Sequence, residues 1–209
     1  MLGNLCEQLG IDGVKTVVID TGYKTPLPKQ IYDWNVTVLG DNTQPPNISR
    51  WWNFGLNYIK MVEGPKEHVV AILNDDLVIP SGFVTDLAGV ILETNAAAAY
   101  PDQHGHFLTG EPHVLVHTKA EPVSIYTRMC GYAFALRGSL NLRADETLQW
   151  WYGDDDLDWR ARQAGGSVLV GGLKVQHLRP NESTVGALAE QAGRDRQTFA
   201  DKWGGRTPW

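Results

Sequence analysis

The sequence predicts an α/β protein whose central sheet is mostly parallel and carries helices on both faces. Short, continuous runs of β-branched residues, typical of buried strands, alternate with longer segments of helical periodicity. In the first half of the chain, each of these runs leads into Asp, Asn or Gly, where a strand passes into a loop. The chain has 209 residues, of which 43% are hydrophobic, so a single domain can bury its core without disulfides or metals.

The first half of the chain is predicted to alternate strands and helices. Ser49 is the predicted N-cap of one helix, and Ser81 is the predicted N-cap of the next. The predicted strands are Lys15–Asp20, Val36–Leu39 and His68–Leu73. Because parallel strands end at one edge of a sheet, the polar residues that follow them are expected to meet there. That edge is where α/β proteins bind ligands.

The second half of the chain is predicted to add strands and two further helices. One helix runs from Asp154 to Gly165, and another lies within residues 181–209. The predicted strands are His113–His117, Met129–Arg137, Ser167–Gly171 and Lys174–His177.

Composition disfavours several classes of function. Lys and Arg number 18 against 24 Asp and Glu, and the formal net charge of −6 disfavours non-specific binding to nucleic acid or anionic membranes. Two cysteines, Cys6 and Cys130, are too few for a disulfide framework and form no CxxC zinc motif. No apolar stretch approaches the ~20 residues of a membrane span, and no signal peptide is visible. We therefore expect a cytoplasmic protein.

Two acidic clusters are candidates for chemistry. Asn74-Asp75-Asp76 follows a buried strand and offers the oxygen ligands that Mg²⁺ prefers, although Asn and Asp are also common turn residues. Asp154-Asp155-Asp156 opens a helix, where acids complement the helix dipole. The spacings Asp156–Arg160 and Asp158–Arg162 are typical of surface ion pairs. A carboxylate at the start of this helix can also act as a general base.

Aromatic residues are concentrated beside the second acidic cluster. The chain contains eight tryptophans, and four of them form the adjacent pairs Trp51-Trp52 and Trp150-Trp151. Core packing explains most tryptophans, but neighbouring residues of a strand point to opposite faces. The pairs therefore also suit a recognition surface.

Six short segments occur in a fixed order over roughly residues 14 to 178. They are Val17–Thr21, Val38–Asn42, Arg50–Leu56, Leu73–Gly82, Gly153–Arg162 and Val175–His177. In that order they resemble segments of the family 2 glycosyltransferases and of the wider GT-A fold superfamily. The third resembles the Arg-x-x-Asn-x-Gly-Leu helix, the fourth the DXD region, and the fifth the Glu-Asp-x-Asp-Leu-x-x-Arg-Ala-Arg element.

This resemblance implies a GT-A fold and an enzyme that transfers a sugar from a nucleotide-diphosphate sugar to an acceptor hydroxyl, with inversion. Asp154 is the implied general base, and Asp76 and His177 are the implied ligands of Mn²⁺ or Mg²⁺, although a lone strand histidine is more often structural. The implied nucleotide-sugar contacts are Asp20, Thr21, Asp41, Asn53, Asn74 and Asp75. The implied acceptor pocket comprises Trp150, Trp151, Tyr152, Gly131 and Asp156.

The expected organisation is a single domain, with residues 14–95 as the nucleotide-binding half, 96–180 as the acceptor half and 181–209 as a helical tail. Asp41 favours UDP- or dTDP-sugars, because a carboxylate accepts a hydrogen bond from a pyrimidine imide. Saccharide, lipid-linked and protein acceptors stay open, as does a homo-oligomer.

Two residues depart from the family pattern. Asn74 replaces the first Asp of the DXD motif, and Gly153 stands where the family has Glu. A non-catalytic module that binds carbohydrate or nucleotide sugar on the same scaffold is therefore one alternative. A sugar-1-phosphate nucleotidyltransferase is another, although the single Gly22 after the first strand disfavours it, since that class needs a Gly-rich phosphate loop.

Overall fold

The computed structural model describes residues 2–22, 27, 31, 33–34, 36–103, 105, 114–178 and 186–209. Within these ranges, the helices are α1 (Leu2–Ile11), α2 (Ile48–Glu63), α3 (Phe83–Thr94), α4 (Gly153–Ala164) and α5 (Gly186–Lys202). The strands are β1 (Val17–Asp20), β2 (Thr37–Gly40), β3 (Val69–Leu73), β4 (Leu77–Val78), β5 (Ala98–Pro101), β6 (Val114–His117), β7 (Ala133–Arg137), β8 (Ser167–Val170) and β9 (Gln176–His177). His113 and residues 181–185 of the predicted elements lie outside the described ranges.

Among the described residues, the central sheet has five strands in the order β3-β7-β5-β8-β6. Strands β5 and β8 run parallel, whereas β7 is antiparallel to both β3 and β5, and β6 is antiparallel to β8. The α/β class is confirmed, but this sheet is mixed rather than mostly parallel. The connection through α3 makes β3 and β5 point the same way, and β7 then inserts between them in the opposite direction. A buried apolar run does not encode direction, since either pairing buries both faces.

Two further strand pairs lie outside the central sheet. Strands β1 and β2 are parallel and end together at Asp20 and Gly40. Strands β4 and β9 are antiparallel, with Leu77 opposite His177. This second pair links the chain just after β3 to the last strand, although more than ninety positions separate them in sequence.

Helices cover both faces of the central sheet, as predicted. Side chains of β7 alternate between the faces: Ala133 and Ala135 join one core cluster, and Phe134 and Leu136 join the other. The first cluster is covered by α1 and α3, and the second by α2 and α4; their apolar contacts include Leu5, Leu9, Phe83, Leu87, Ile91, Leu56, Leu157 and Ala161.

Helix α1 is an element that the sequence analysis did not predict. Leu2, Leu5 and Leu9 recur at near-helical spacing, and Leu5 and Leu9 are buried. This periodicity was the available signal, but the segment is short and contains Gly3 and Gly10. None of the described helices is both long and apolar enough to cross a membrane.

The predicted N-caps are displaced by one or two residues. Asn47, not Ser49, caps α2 by accepting a hydrogen bond from the Arg50 N–H. Ser49 is instead fully buried and donates to the Leu148 carbonyl at 2.6 Å. Gly82, with φ of 77°, precedes α3 and uses no side-chain cap, while Ser81 donates to Asp12. Asn, Asp and Ser near a helix start are equivalent on sequence grounds, and tertiary contacts decide which one caps.

Candidate active site

The loop at the carboxyl end of β3 brings two of the predicted site residues together. The antiparallel register of β4 and β9 puts Leu77 opposite His177, and Asp76 Oδ1 lies 3.1 Å from His177 Nε2. Asp76 is 4% exposed, and its Oδ1 has no partner with hydrogen-bond geometry among the described residues. The two atoms therefore approach closely without forming a hydrogen bond.

Tyr132 fixes this corner of the site. Its ring stacks on the His177 imidazole, with centroids 5.0 Å apart and planes 10° from parallel. Its carbonyl accepts a hydrogen bond of 2.9 Å from the Asn74 N–H. Burial raises the pKa of Tyr132, so its hydroxyl stays neutral at ordinary pH. A single aromatic residue thus orients both the histidine and the loop that carries Asn74, Asp75 and Asp76.

The Asp76 and His177 geometry fits a hard divalent cation. Adjacent ligand atoms of an octahedral ion with bonds of about 2.1 Å lie about 3 Å apart. The 3.1 Å between the two side-chain atoms matches that spacing. Over the described ranges, no cluster of three or more His, Cys, Asp or Glu side chains is arranged to hold a metal by itself. Water and substrate phosphate oxygens would complete the ligand set, as they commonly do for Mg²⁺.

Asp154, the predicted base, lies in the first turn of α4. Its Oδ2 accepts a 2.8 Å hydrogen bond from the Gly131 N–H, and Arg128 Nη1 lies 3.7 Å from the same oxygen. A Cβ at position 131 would lie 3.2 Å from this oxygen and 3.1 Å from the Trp52 ring. Glycine at position 131 therefore permits the close approach of the carboxylate. The Asp154 side chain is 18% exposed, so part of it stays accessible.

The other acids of α4 are paired inside the protein. Asp155 pairs with Arg128 at 2.8 Å, Asp156 with Arg160 at 2.9 Å, and Asp158 with Arg162 at 2.5 Å. The two i,i+4 pairs are those expected from spacing, but all three acids are at most 2% exposed, and the Asp158–Arg162 pair is buried on both sides. Burial, with the charge of Asp154 adding to it, raises the pKa of Asp155.

Asp156 is the pocket residue whose placement differs most from the expectation. It is fully buried, and its Oδ1 lies 3.0 Å from Trp203 Nε1 and 2.9 Å from Lys202 Nζ. Both donors belong to α5 or the residue after it. The carboxylate therefore faces α5 and Arg160 rather than an open acceptor pocket.

The aromatic segment before α4 borders a cavity. Tyr152 stacks on Trp209, with centroids 5.4 Å apart and planes 5° from parallel. A cavity of about 310 Å³ is lined by Tyr152, Arg196, Thr207 and Trp209. The guanidinium of Arg128 lies 4.3 Å above the Trp209 ring, so one lining residue of the cavity contacts the arginine that lies beside Asp154.

The two predicted recognition tryptophans of this segment lie beside other aromatic rings. Trp150 meets Trp51 edge to face at 6.2 Å, which joins the two tryptophan pairs of the sequence. Trp151 packs against the core cluster formed by Leu148, Tyr152, Trp159 and Phe199.

Three of the residues predicted to contact the nucleotide sugar, Asp20, Thr21 and Asp41, lie at the ends of β1 and β2. The Asp41 N–H donates to the Asp20 carbonyl at 2.8 Å, and the Asp20 carboxylate accepts from the Gly22 N–H at 3.0 Å. Hydrogen bonds from the Thr43 hydroxyl and from Arg50 lower the pKa of Asp41. Thr21 follows directly after Asp20 on this edge.

Asn53 is engaged within the protein. Its Nδ2 donates to the Ala144 carbonyl and to Glu146 Oε1, both at 2.9 Å, and its Oδ1 accepts from the Ala144 N–H at 2.8 Å. It is 6% exposed. These three bonds tie α2 to the loop that leads to the aromatic segment.

Three residues that hold this site in place were not predicted from the sequence. Arg128, Tyr132 and Asp195 contact the predicted residues from distant parts of the chain. None of them lies within a few residues of its partner in sequence, and none lies in the six segments that carry the family resemblance. No pattern in a single sequence could have identified them.

Comparison with known proteins supports the fold. No protein-family model and no curated protein sequence matches the chain. The structure of TarS residues 1–349 from S. aureus matches with a TM-score of 0.56 at 15% identity, covering 84% of this chain and 54% of that one. A second S. aureus TarS structure matches with a TM-score of 0.59 at 14% identity, covering 98% and 40%. GalNAc-T7, solved with UDP, GalNAc and Mn²⁺, matches with a TM-score of 0.58 at 13% identity, covering 91% and 43%.

The chain thus spans about half or less of the length of these neighbours. At this level of identity the likeness concerns the fold alone. TarS and GalNAc-T7 are GT-A glycosyltransferases, and the chain has the GT-A fold that its ordered sequence segments predict.

Proposed function

We propose that the chain is a metal-dependent glycosyltransferase that moves a sugar from a nucleotide-diphosphate sugar to an acceptor hydroxyl, with inversion. The observation that carries this proposal is the 3.1 Å approach of Asp76 and His177 at one edge of a GT-A fold. GalNAc-T7, a structural neighbour, is described with UDP, GalNAc and Mn²⁺. This supports a nucleotide-sugar donor and a divalent cation for the present chain.

On the donor side, Asp76 and His177 would hold Mn²⁺ or Mg²⁺, which when bound neutralises charge on the leaving diphosphate. Asp41 would accept a hydrogen bond from the imide N–H of uracil or thymine, which favours UDP- or dTDP-sugars. Asn53 is not among the proposed donor contacts, because its side-chain amide is engaged with Ala144 and Glu146. The remaining proposed donor contacts are Asp20, Thr21, Asn74 and Asp75.

On the acceptor side, the acceptor oxygen attacks the anomeric carbon while the bond from that carbon to the diphosphate oxygen breaks. The bonding electron pair leaves with the nucleotide diphosphate, and Asp154 takes the hydroxyl proton. Attack from the face opposite the leaving group inverts the anomeric centre. The Gly131 N–H holds the carboxylate of Asp154 in a fixed direction. The cavity beside Tyr152 and Trp209 is the proposed place of the acceptor, since aromatic faces suit sugar rings.

We propose that the chain forms a single domain. Residues 14–95 form its nucleotide-binding half and residues 96–180 its acceptor half, and residues 181–209 add the last helix. The proposed contacts to the nucleotide sugar precede α3, whereas Gly131 and Asp154 follow it. His177, the second proposed metal ligand, reaches the donor side from the acceptor half.

A thermal-shift screen tests the donor and the metal together. UDP-, GDP- and dTDP-sugars are each added with Mn²⁺ or with EDTA, because a ligand that binds only the native state raises the melting temperature. We expect a rise that needs Mn²⁺ in the unchanged chain and in the exposed control Asp86→Asn, and none in Asp76→Asn or His177→Gln. An equal rise in EDTA, or in all four proteins, would contradict the metal site.

A turnover assay separates the enzyme from the binding-module alternative. Release of nucleotide diphosphate is followed with a panel of saccharide, lipid-linked and peptide acceptors. Donor binding without release over the whole panel would favour the binding module. Binding of GDP-sugars alone would contradict the proposed role of Asp41.

A further inference from the structure

Helix α5 reaches the aromatic segment before α4 through one buried carboxylate. Asp195 is fully buried, and its Oδ2 accepts hydrogen bonds of 2.8 Å from the backbone N–H groups of both Trp150 and Trp151. Its Oδ1 accepts from the Gln149 N–H at 3.1 Å and from Gln191 Nε2 at 2.7 Å. Three consecutive backbone N–H groups therefore converge on one side chain, an arrangement that suits an anion.

The segment held by Asp195 is followed by a strained residue. Tyr152 has φ of 64°, in the left-handed region that a bulky residue rarely adopts, and it precedes α4 without a side-chain cap. Such a conformation persists only where its surroundings over-determine it. The hydrogen bonds that Asp195 accepts fix the backbone before Tyr152. Contacts with Trp209 and Phe199 fix the ring of Tyr152.

Asp154 lies two residues beyond Tyr152, and its direction depends on how this turn enters α4. A second contact from the same part of the chain supports the turn, since Lys202 and Trp203 both bind the Asp156 carboxylate. The entry to α4 is thus held at two places. Asp195 binds the backbone before Tyr152, and Lys202 and Trp203 bind Asp156 at the start of the helix. The bond between Asp154 and the Gly131 N–H requires this turn to stay in place.

We infer that Asp195 is a positioning residue for Asp154: it holds the strained entry to α4 and thereby directs the carboxylate at Gly131. This inference rests on the proposed function for its catalytic consequence, whereas its structural part does not need that function. The helix that the sequence predicts as a tail is then part of the acceptor side of the site.

The test compares Asp195→Asn with Asp201→Asn. Asp201 lies on the same helix and is exposed, and its side chain accepts a hydrogen bond from Gln197 on the solvent side of α5. Asn at position 195 keeps the size of the side chain but replaces one acceptor oxygen with an NH₂ group, so at least one backbone N–H loses its partner. Amide hydrogen exchange is measured at Gly131 and at Gln149–Trp151, together with kcat and the donor Kd.

In Asp195→Asn we expect faster exchange at Gly131 and at the 149–151 amides, and a kcat lower by about 10–100-fold, because small misplacements of a reacting group carry such costs. The donor Kd should stay unchanged, as should every quantity in Asp201→Asn. A role in stability alone would lower the melting temperature but leave Gly131 protection and kcat at their original values. That result would overturn the inference.

The exchange measurement distinguishes this inference from the proposed function. If the unchanged chain transfers no sugar, the proposed function fails, while Gly131 exchange still reports whether Asp195 positions Asp154. If Asp195→Asn does not fold, Gln191→Leu provides a milder change, since it removes the side-chain donor to Asp195 and, besides that, only exposed hydrogen bonds from Arg194 to Gln191 Oε1. Gln191→Leu should then speed exchange at Gly131 in the same direction, and unchanged exchange would reject the inference.

Discussion

Gly153 has no room for a side chain. A Cβ at this position would lie 2.5 Å from Ser49 Oγ, and that hydroxyl is held by its 2.6 Å hydrogen bond to the Leu148 carbonyl. The Glu that the family pattern carries at this position therefore does not fit here without displacement of Ser49. This departure from the family pattern, one of the two that led to the binding-module alternative, has a packing cause in the contact between α2 and the start of α4.

We expect Gly153→Ala to lower the free energy of unfolding by about 1–3 kcal/mol, the usual cost of overpacking. Ser49→Ala removes the clashing hydroxyl, so the double variant should lose less than the sum of the two single changes. Urea unfolding measures all three. Gly89→Ala is the matched control, because a Cβ there meets nothing within 4 Å. A Gly153→Ala protein as stable as the unchanged chain would contradict this explanation.

Asp154→Asn tests the proposed base. The amide keeps the shape and an oxygen that can accept from the Gly131 N–H, but it cannot take a proton. We expect kcat to fall by roughly 10²–10⁴-fold with little change in donor Kd. Steady-state kinetics and donor calorimetry on one preparation separate the two quantities, with Asp86→Asn as the control. Near-normal turnover would reject Asp154, and Asp156 is too buried to be the obvious substitute.

Helix α4 is an interior element despite its many charges. Its acids pair with Arg128, Arg160 and Arg162, and the Asp158–Arg162 pair is 1% exposed on both sides. Asp158 also accepts from Ser167 Oγ at 2.5 Å, and Arg162 donates to the Glu121 carbonyl at 2.9 Å. The pair therefore joins α4 to β8 and to the segment before Arg128. An i,i+4 spacing predicts such a pair but does not say whether it faces solvent.

Because the pair is buried, we expect Arg162→Leu to lower the free energy of unfolding by about 3–5 kcal/mol, since it leaves the Asp158 charge uncompensated. Asp158→Leu combined with Arg162→Leu should recover part of that loss. Arg194→Leu, on the exposed side of α5, is the control and should change stability by less than about 1 kcal/mol. Urea titrations give the three values, and a small loss in Arg162→Leu would show that the pair behaves like a surface pair.

Over the whole molecule, α5 connects to residues 145–156 through charged contacts. Lys202 bridges Asp145 at 2.5 Å and Asp156 at 2.9 Å, and Asp195 holds the 149–151 backbone. Although burial acts to raise it, hydrogen bonds from Lys202 and Thr147 lower the pKa of Asp145 to about 2. The docking of α5 therefore has a component that depends on pH.

A carboxyl group whose pKa is lower in the folded state stabilises the fold at pH values above its unfolded pKa of about 3.9. That contribution is lost as the pH falls from about 4 to about 2. We expect the difference in unfolding free energy between the unchanged chain and Asp145→Asn to be constant at neutral pH and to shrink across this window. Urea unfolding at a series of pH values measures it. A difference independent of pH would rule out Asp145 as the source.

The strands and their pairings show which features of the fold could be predicted from the sequence. The apolar runs at 69–73, 133–137 and 167–170 are strands, and the helices over Ile48–Glu63 and Gly153–Ala164 cover the sheet as expected. The antiparallel insertion of β7 between β3 and β5 was not predicted. The period of the hydrophobic pattern indicates which residues are buried, whereas the direction of a strand depends on the path of the loops that connect it.

Features that arise within a few residues of chain were predictable from the sequence: strands and their polar ends, the acids at the start of α4, and the i,i+4 partners Arg160 and Arg162. Which distant groups meet depends on how the elements pack. The approach of Asp76 to His177, the hold of Asp195 on the segment before α4 and the space that excludes a side chain at Gly153 all join positions far apart in sequence. Local periodicity predicts the first kind of feature because such features depend on residues that are close in sequence. The second kind exists only after the chain has folded and its elements have packed.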